Sequence, residues 1–488
     1  MQHRVRRVAV LAAAAGAAGY GGQLAYTAWR RRNASSRSGL PSGRIQRTAR
    51  LATASARTAT DLAMTRARQA GKTEAERAEI EEAFHLRTAE QVLDVMGEMK
   101  GALMKIGQLM SFIDTGLPEP FRQALAGLQA DAPPMAYELV EQVVAAELGA
   151  GPQEVFAEFA REPMAAASIG QVHAARLHDG PDVVVKVQYP GVDDAIRADL
   201  DNADLLYTLM RAVYPNLDPK PVVAELRERI GEELDYTVEA KHQQAFLDIY
   251  SGHPFIHVPE VFPALSSRRV LTMERSSGLR WREALDAPQD LKDRWGEVVY
   301  RYVFGTINRF HMFNGDPHPG NYLFHDDGTV TFLDYGCVKH FSPEHIAEQQ
   351  AMMRAQIDDD AEAMRGHLVA FGFIRPDDDL DPRRHLDWWH QWDDHLLAEQ
   401  PFTYTPEFAE AAVKANYDPT GEWAEVSRRM NLPKDFVFLT RINLGVNSVL
   451  AGLRATGRWR GIADEWWAGA SAATDLGRLD ADFFAAPH

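Results

Sequence analysis

Two short segments in the second half of the chain carry carboxylate and amide side chains at a spacing suited to metal-dependent phosphoryl transfer. Residues 314–321 read Asn-Gly-Asp-Pro-His-Pro-Gly-Asn, so Asp316 comes five positions before Asn321, and an Asp-Tyr-Gly triplet begins at Asp334. If these segments form adjacent loops, Asn321 and Asp334 can hold Mg²⁺ while Asp316 faces an acceptor group. Each motif alone is a common turn, but their order and spacing together favour this chemistry.

A lysine inside an apolar, strand-like run provides the cation that this chemistry needs on the nucleotide phosphates. Lys186 lies in the run of residues 183–187, which prolines flank on both sides. An ammonium is costly to bury without a partner, although a long side chain can also reach out to solvent. The downstream loops favour a pair with a helix carboxylate, for which Glu239 is the best-placed candidate, and contact with the α and β phosphates.

Residues 165–172 read Ala-Ala-Ala-Ser-Ile-Gly-Gln-Val and stand where kinases carry a glycine-rich phosphate loop. Alanines replace the first two glycines, and alanine disfavours a positive φ and adds a methyl group, so the backbone should be stiffer. An alanine run is also typical of a helix, but its place before the lysine strand argues for a loop. The residues expected to contact the nucleotide here are Ala165, Ala166, Ala167, Ser168, Gly170 and Val172.

Hydrophobic periodicity indicates the elements that would position these residues. Apolar side chains recur every three or four positions from Val92 to Ile113, the pattern of an amphipathic helix. Further helical segments are predicted at 136–149, over much of 191–250, and over most of the chain beyond Arg282. Strands are predicted at 183–187, 269–273 and 329–333. A small β-containing lobe followed by a larger helical lobe is the expected architecture.

Charge is distributed unevenly along the chain. Eleven arginines precede the first acidic residue, Asp61, so the net charge of -17 becomes -28 for the remainder. An acidic body argues against nucleic-acid binding, whereas the basic head could meet an anionic membrane surface. The uncharged run Val8 to Trp29 could span a bilayer, with the body on the cytoplasmic side, or remain a peripheral or disordered head. A single cysteine, Cys337, permits no intramolecular disulfide and fits a reduced, cytoplasmic site for the body.

The motifs together resemble those of the UbiB/ADCK family of AarF-type atypical kinases. The matching segments are Lys-Ile-Gly-Gln at 105–108, Leu-Gln-Ala-Asp-Ala-Pro-Pro at 128–134, the alanine-rich segment at 165–173, the lysine strand at 183–192, Glu-Leu-Asp-Tyr-Thr-Val-Glu-Ala at 233–240, Gly-Asp-Pro-His-Pro-Gly-Asn at 315–321 and Leu-Asp-Tyr-Gly at 333–336. The resemblance implies an α+β, bilobal protein-kinase-like fold with an N-terminal helical extension. Its expected segments are a membrane anchor or basic head (1–32), a flexible linker (33–80), the helical extension (81–135), the smaller lobe with a helical insert (136–280) and the larger lobe (281–488).

The resemblance also implies roles that the residues alone would not indicate. In the family, a helix bearing the Lys-x-Gly-Gln signature folds over the site where ordinary kinases bind peptide. Its lysine meets a Glu-x-Asp pair, which gives Lys105, Gln108, Glu233 and Asp235 regulatory roles here. The kinase-like order of elements places Met273 and Glu274 at the hinge that meets adenine. One departure is Asn314, which stands where the family usually has a histidine.

The function implied by the resemblance is an atypical kinase or ATPase that uses ATP and Mg²⁺, releases ADP, and supports isoprenoid quinone or related lipid biosynthesis. Membrane lipid or an isoprenoid quinone precursor is then the expected partner, and the oligomeric state is left open. Two alternatives stand beside it. One is a small-molecule phosphotransferase of the aminoglycoside or choline kinase type, against which the alanine-rich loop and the Lys-Ile-Gly-Gln motif argue. The other is a nucleotide-binding regulatory pseudokinase, against which the intact carboxylate and amide positions argue.

Overall fold

The structure is a computed structural model that describes residues 135–167, 169–193, 228, 231–315, 317–417, 421–431 and 433–486. The head, the linker and nearly all of the helical extension predicted before residue 136 lie outside these ranges. Lys105, Gln108, Ser168 and Asp316 lie outside them as well. The roles predicted for these residues therefore stay predictions.

An antiparallel sheet dominates the first described part of the chain. The strands up to residue 274 are β1 (Glu158–Phe159), β2 (Ala165–Ala167), β3 (Gly170–Arg176), β4 (Asp182–Gln188), β5 (Ile256–His257) and β6 (Val270–Glu274). The sheet runs β1-β3-β4-β6, and β2 also pairs with β3. Val183, Val185 and Val187 of β4 are buried in an apolar core. Because successive strand residues point to opposite faces, Lys186 faces away from that core.

Three helices accompany this sheet: α1 (Tyr137–Leu148), α2 (Pro152–Val155) and α3 (Tyr236–Tyr250). Val140, Val143 and Val144 of α1 are spaced to share one helix face, and they pack against the valines of β4. Helix α3 begins after Asp235, whose carboxylate accepts a hydrogen bond from the Thr237 backbone N–H at 3.0 Å. This cap satisfies one of the free N–H groups at the helix start.

The remainder of the described chain is mostly helical, with four small strand pairings. Its helices are α4 (Trp281–Leu285), α5 (Gln289–Tyr300), α6 (Thr306–Phe310), α7 (Pro343–Ile357), α8 (Ala361–Phe371), α9 (Pro382–Leu397), α10 (Pro406–Tyr417), α11 (Ala424–Arg429), α12 (Lys434–Leu453), α13 (Trp459–Trp467) and α14 (Asp475–Ala485). A π-helical turn, Arg301–Gly305, joins α5 to α6. The strands are β7 (Met312–Asn314), β8 (Tyr322–Phe324), β9 (Val330–Phe332), β10 (Val338–His340), β11 (Phe402–Thr403) and β12 (Thr456–Gly457).

The short strands bring the two polar loops together. The strand pair β7-β10 has Asn314 opposite Val338, so the segment that leads toward residue 316 runs beside the segment that follows Asp334. The hairpin β8-β9 has Tyr322 opposite Phe332, which places Asn321 near the end of β9. The adjacency of loops expected from the sequence is therefore built by two antiparallel pairings.

The predicted α+β architecture, a small strand-bearing lobe before a larger helical one, is confirmed in the described ranges. The helix predicted at 136–149 is α1, and the strand predicted at 269–273 is β6, shifted by one residue. The alanine-rich segment, predicted as a loop, begins with the short strand Ala165–Ala167. Strands β7 and β10 went unpredicted, because three residues are too few to show an alternating pattern.

In the described ranges, we find no helix with the length and apolar character needed to cross a bilayer. The uncharged run Val8 to Trp29 lies outside those ranges.

A buried charge cluster anchors the last helix to the rest of the fold. The Arg301 guanidinium, whose side chain is 1% exposed, donates two hydrogen bonds to Glu465, at 2.8 and 2.9 Å. Asp480 of α14 lies 2.7 Å from the Arg309 guanidinium and 3.1 Å from His253 Nε2. Burial alone would raise the pKa of Asp480, but His253 and the two arginines outweigh this and lower that pKa. The carboxylate is therefore charged and paired at neutral pH.

We predict that Asp480→Asn destabilises the fold by about 3 to 5 kcal/mol at pH 7, because it removes the buried carboxylate that pairs with Arg309 and His253. The pKa of Asp480 is lowered in the folded state, so its contribution is present above the unfolded-state value and is lost as pH falls through the folded-state value. Urea denaturation at pH 7 and at lower pH measures both effects. Asp482→Asn, at an exposed position of the same helix, is the matched control. Equal free energies of unfolding for the two variants would contradict the role of the cluster.

Candidate active site

Lys186, Glu239 and Asp334 meet on the face of β4 that looks away from the sheet's apolar core. The Lys186 ammonium lies 2.5 Å from Glu239 Oε1 and 3.7 Å from Asp334 Oδ2. The side chains of Lys186 and Glu239 are only 13% and 6% exposed, whereas that of Asp334 is 34% exposed. The lysine and its helix partner are thus nearly closed to solvent, and the second carboxylate opens toward it.

The electrostatics of this cluster favour a permanent cation at Lys186. Burial lowers the pKa of Lys186, but attraction to Asp334 and Glu239 outweighs burial and raises that pKa above its ordinary value. Burial raises the pKa of Glu239, and the nearby ammonium opposes that rise. Burial also raises the pKa of the Tyr236 phenol, which stays neutral beside the lysine. Each charged partner lowers the cost of burying the other.

The Asp334 loop is held by hydrogen bonds from three directions. Asp334 Oδ1 accepts from the Gly336 backbone N–H at 2.9 Å, which leaves Oδ2 toward the lysine. The Asn314 side-chain amide donates to the Asp334 carbonyl. His242 Nδ1 lies 3.2 Å from the Tyr335 carbonyl, so the imidazole donates to it. Asn314 therefore supports the loop from the position where the family usually has a histidine.

The loop before β8 is fixed in the same way by its own backbone. Asn321 N–H donates to the His318 carbonyl, and the Leu333 N–H donates to the Asn321 carbonyl, both at 2.9 Å. The second bond ties Asn321 to the residue just before Asp334. Gly315 N–H donates to the Cys337 carbonyl at 2.6 Å. The segments before and after residue 316 are therefore both joined to the segment that contains Asp334.

The donor set suits a hard divalent cation. The side chains of Asp334 and Asn321 carry a carboxylate and an amide oxygen, and Mg²⁺ prefers ligands of these types with water or phosphate completing its shell. Among the described residues, no group of three or more histidine, cysteine, aspartate or glutamate side chains could hold a metal by itself. A site of two protein ligands that needs oxygens from a bound phosphate fits this arrangement.

The alanine-rich segment forms a hairpin whose second strand, β3, pairs with the lysine strand β4. Ala165 pairs with Val172 and Ala167 with Gly170, and Val172 lies opposite Lys186 on β4. A methyl group at Gly170 would collide with the Val187 backbone, at 2.9 Å from its carbonyl carbon. Strand packing therefore requires the one remaining glycine, independently of any phosphate.

The predicted hinge residues differ in what they can offer a base. Met273 is buried, with its sulfur 3.8 Å from the Gln243 amide of α3. The Glu274 N–H donates to the Glu260 carbonyl at 2.8 Å, and its carboxylate lies 3.4 Å from His257. Its N–H and side chain are thus engaged, which leaves only the carbonyl of Glu274 for the predicted backbone contact with adenine.

The predicted regulatory acids lie just before α3. Asp235 caps that helix and also accepts from the Thr237 hydroxyl at 2.6 Å. Burial is the main cause of the raised pKa of Tyr236 and of Glu239. The negative charge of Glu233 contributes to raising both pKa values, so Glu233 lies close enough to act on both groups. Their predicted partner, Lys105, lies outside the described residues.

His242 is a site residue that the sequence did not reveal. It stands three positions after Glu239, a spacing that places both on one face of a helix. That spacing was the available signal, but a histidine there had no partner motif until the structure placed the Tyr335 carbonyl beside it.

Comparisons with known proteins indicate the family of the chain. Residues 127–368 match the model of the ABC1 atypical kinase-like domain. The chain is 34% identical over 266 residues to the atypical kinase COQ8, mitochondrial, of Saccharomyces cerevisiae, covering 54% of this chain and 53% of that protein. It is 31% identical over 274 residues to the atypical kinase COQ8B, mitochondrial, of Rattus norvegicus, covering 56% and 52%. The chain therefore spans about half the length of these curated relatives.

A solved structure covers more of the chain. The complex of Rv3197 with erythromycin from Mycobacterium tuberculosis is similar with a TM-score of 0.58 and 30% identity. The similarity extends over 80% of this chain and 98% of that one.

We predict that Lys186 and Glu239 are energetically coupled in a double-mutant cycle with Lys186→Met and Glu239→Gln. Two charges in contact and largely shielded from water should give a coupling of about 1 to 3 kcal/mol in the free energy of unfolding. The exposed pair Arg176 and Glu158 of the same sheet is the control, with a coupling below about 1 kcal/mol. Additive effects of Lys186→Met and Glu239→Gln would contradict the pairing.

Proposed function

We propose a function for this chain on the premise that it belongs to the ABC1 atypical kinase-like family, also called UbiB/ADCK. The chain binds ATP with Mg²⁺ and transfers or hydrolyses the terminal phosphoryl group. The single observation that carries this proposal is the cluster of Lys186, Glu239 and Asp334, drawn from a strand, a helix and a loop. A solvent-facing carboxylate beside a buried, permanently charged lysine suits a phosphate-bearing ligand with a divalent cation.

Each residue of the cluster has a separate task in this proposal. Lys186 presents its ammonium to the α and β phosphates, and Glu239 holds that ammonium in place. Asp334 and Asn321 hold Mg²⁺, which when bound neutralises negative charge on the phosphate oxygens. Asp316 orients the acceptor hydroxyl or water.

The hairpin and the hinge complete the proposed nucleotide site. The phosphates lie under Ala165, Ala166, Ala167, Ser168, Gly170 and Val172. Paired strands hold the alanines, so this cover should adapt less to its ligand than a glycine-rich loop would. Adenine lies beside Met273 and meets the Glu274 carbonyl.

The proposed acceptor side is controlled by the helical extension. Lys105 and Gln108 belong to the helix that covers the acceptor, and Lys105 pairs with the acids before α3. Asp235 also accepts two hydrogen bonds as the cap of α3, which orient its carboxylate at the start of that helix. Occlusion by this helix would favour ATP hydrolysis or a small acceptor over a protein substrate.

The proposed role is support of isoprenoid quinone or related lipid biosynthesis, with a membrane lipid or quinone precursor as partner. Two relatives carry the name COQ8, which supports this choice. The arginine-rich head would bring the acidic body to the inner face of an anionic membrane. The body would remain in the cytoplasm, where ATP is supplied.

We predict that Asp334→Asn weakens Mg²⁺-dependent nucleotide binding by roughly tenfold or more, because an amide is a poorer ligand for a hard cation than a carboxylate. Thermal unfolding with ATP and increasing Mg²⁺ measures the effect, and ATP with EDTA gives the metal-free reference. Asp326→Asn, an exposed change in the turn after β8, is the control. Equal Mg²⁺ responses in the Asp334→Asn variant and the parent would remove Asp334 from the metal site.

We expect cells that lack the gene to contain a smaller isoprenoid quinone pool than their parent. Quantifying quinones in lipid extracts by mass spectrometry measures this. Reintroducing the parent gene should restore the pool, and the Asp334→Asn gene should restore it only in part. An unchanged pool would contradict the quinone role and leave the nucleotide chemistry to be judged by the binding experiment.

A further inference from the structure

One face of helix α3 makes four contacts with three parts of the chain, two of which belong to the active site. Glu239 meets Lys186 of β4, and one turn later the His242 ring meets the carbonyl of Tyr335. The Gln243 amide donates to the Pro259 carbonyl at 2.8 Å. A further turn on, the ring of Phe246 packs 5.1 Å from that of Tyr335. The helix therefore connects the lysine strand to the metal loop through side chains spaced three or four residues apart.

Of these contacts, the one from His242 bears most directly on the metal loop. A carbonyl only accepts, so His242 Nδ1 must carry a hydrogen, as it does in one neutral tautomer and in the imidazolium. The Asn314 amide donates to the preceding carbonyl, that of Asp334. Two side chains from two different elements therefore hold consecutive carbonyl groups, and the peptide between those carbonyls cannot turn freely.

The hydrogen bonds from His242 and Asn314 to the loop backbone determine where the Asp334 carboxylate points. One carboxylate oxygen is bound by the Gly336 N–H, so the direction of the other follows from the backbone of the loop. The Tyr335 ring is fixed separately, because it is buried and its hydroxyl donates to the Phe332 carbonyl at 3.1 Å. Loss of the His242 donor would thus release the peptide while the ring keeps the loop folded.

We propose that His242 is a positioning residue that sets the Asp334 carboxylate for its divalent cation and links that carboxylate to the Lys186–Glu239 pair. This inference rests on the proposed function, because it concerns the same metal site. A purely structural histidine would change stability alone. A positioning histidine changes the Mg²⁺ requirement of nucleotide binding.

The test compares two substitutions that differ in hydrogen-bonding capacity. His242→Asn keeps an N–H donor on an atom bonded to Cγ, as in histidine, whereas His242→Leu removes the donor and keeps an apolar side chain of moderate size. Calorimetric titration with ADP at a series of Mg²⁺ concentrations gives the Mg²⁺ needed for half-maximal nucleotide affinity. Thermal unfolding without ligand is measured for each protein. Gln244→Leu, which removes an exposed bond to Asp248 from the same helix, is the control.

We expect His242→Leu to need about three- to tenfold more Mg²⁺, the range that loss of one hydrogen bond produces. Its affinity for ADP in EDTA should match that of the parent. His242→Asn and Gln244→Leu should stay within about twofold of the parent. If the leucine variant does not fold, His242→Met takes its place, and the asparagine variant must still match the parent.

Two results would overturn the inference while the proposed function stands. One is a folded His242→Leu protein with the parent's Mg²⁺ requirement. The other is an equal rise in that requirement for His242→Asn and His242→Leu, which would assign the effect to the ring's shape. A parent protein that binds ADP without any dependence on Mg²⁺ would remove both the inference and the proposed metal site.

Discussion

A buried ammonium that needs two carboxylates is the constraint around which the active site is built. Lys186 lies on a strand whose neighbouring valines fill the core, so its side chain must point to the other face of the sheet. There it is stable only because helix α3 and the loop after β9 each bring a carboxylate to it. A strand, a helix and a loop must therefore be correctly placed before this charge can be buried. The site therefore forms only when the strand and helix of the smaller lobe and the loop of the larger lobe have folded together.

The residues with an electrostatic reason to meet could be predicted from the sequence. Lys186 in an apolar run implied a partner, for which Glu239 was the candidate, and Asp334 was selected separately as a metal ligand. The structure brings these three residues together. The α+β architecture followed from the period of the apolar residues. The role of Asp316 stays a prediction, because that residue is not described.

The contacts that the sequence did not indicate are made with backbone groups. These groups have the same chemistry at nearly every position, so no residue type marks them. His242 and Asn314 act by donating to carbonyls, and no residue type marks which carbonyl will lie nearby. The engagement of the Glu274 N–H by Glu260 is of the same kind. Gly170 shows the converse case, since the sequence suggested a phosphate contact and the structure adds a packing reason for the missing side chain.

The buried charge cluster of the helical lobe has a consequence for synthesis of the chain. His253 and Asp480 are 227 residues apart in sequence, and Arg301 emerges from the ribosome long before the carboxylates of α13 and α14. At a translation rate of roughly 5 to 20 residues per second, the ribosome adds Asp480 about 10 to 45 seconds after His253. During that time the buried Arg301 guanidinium has one of its three carboxylate neighbours among the described residues, Glu297, and lacks Glu465 and Asp480. The smaller lobe can mature first, whereas the larger one must stay open to water until its last helix has been made.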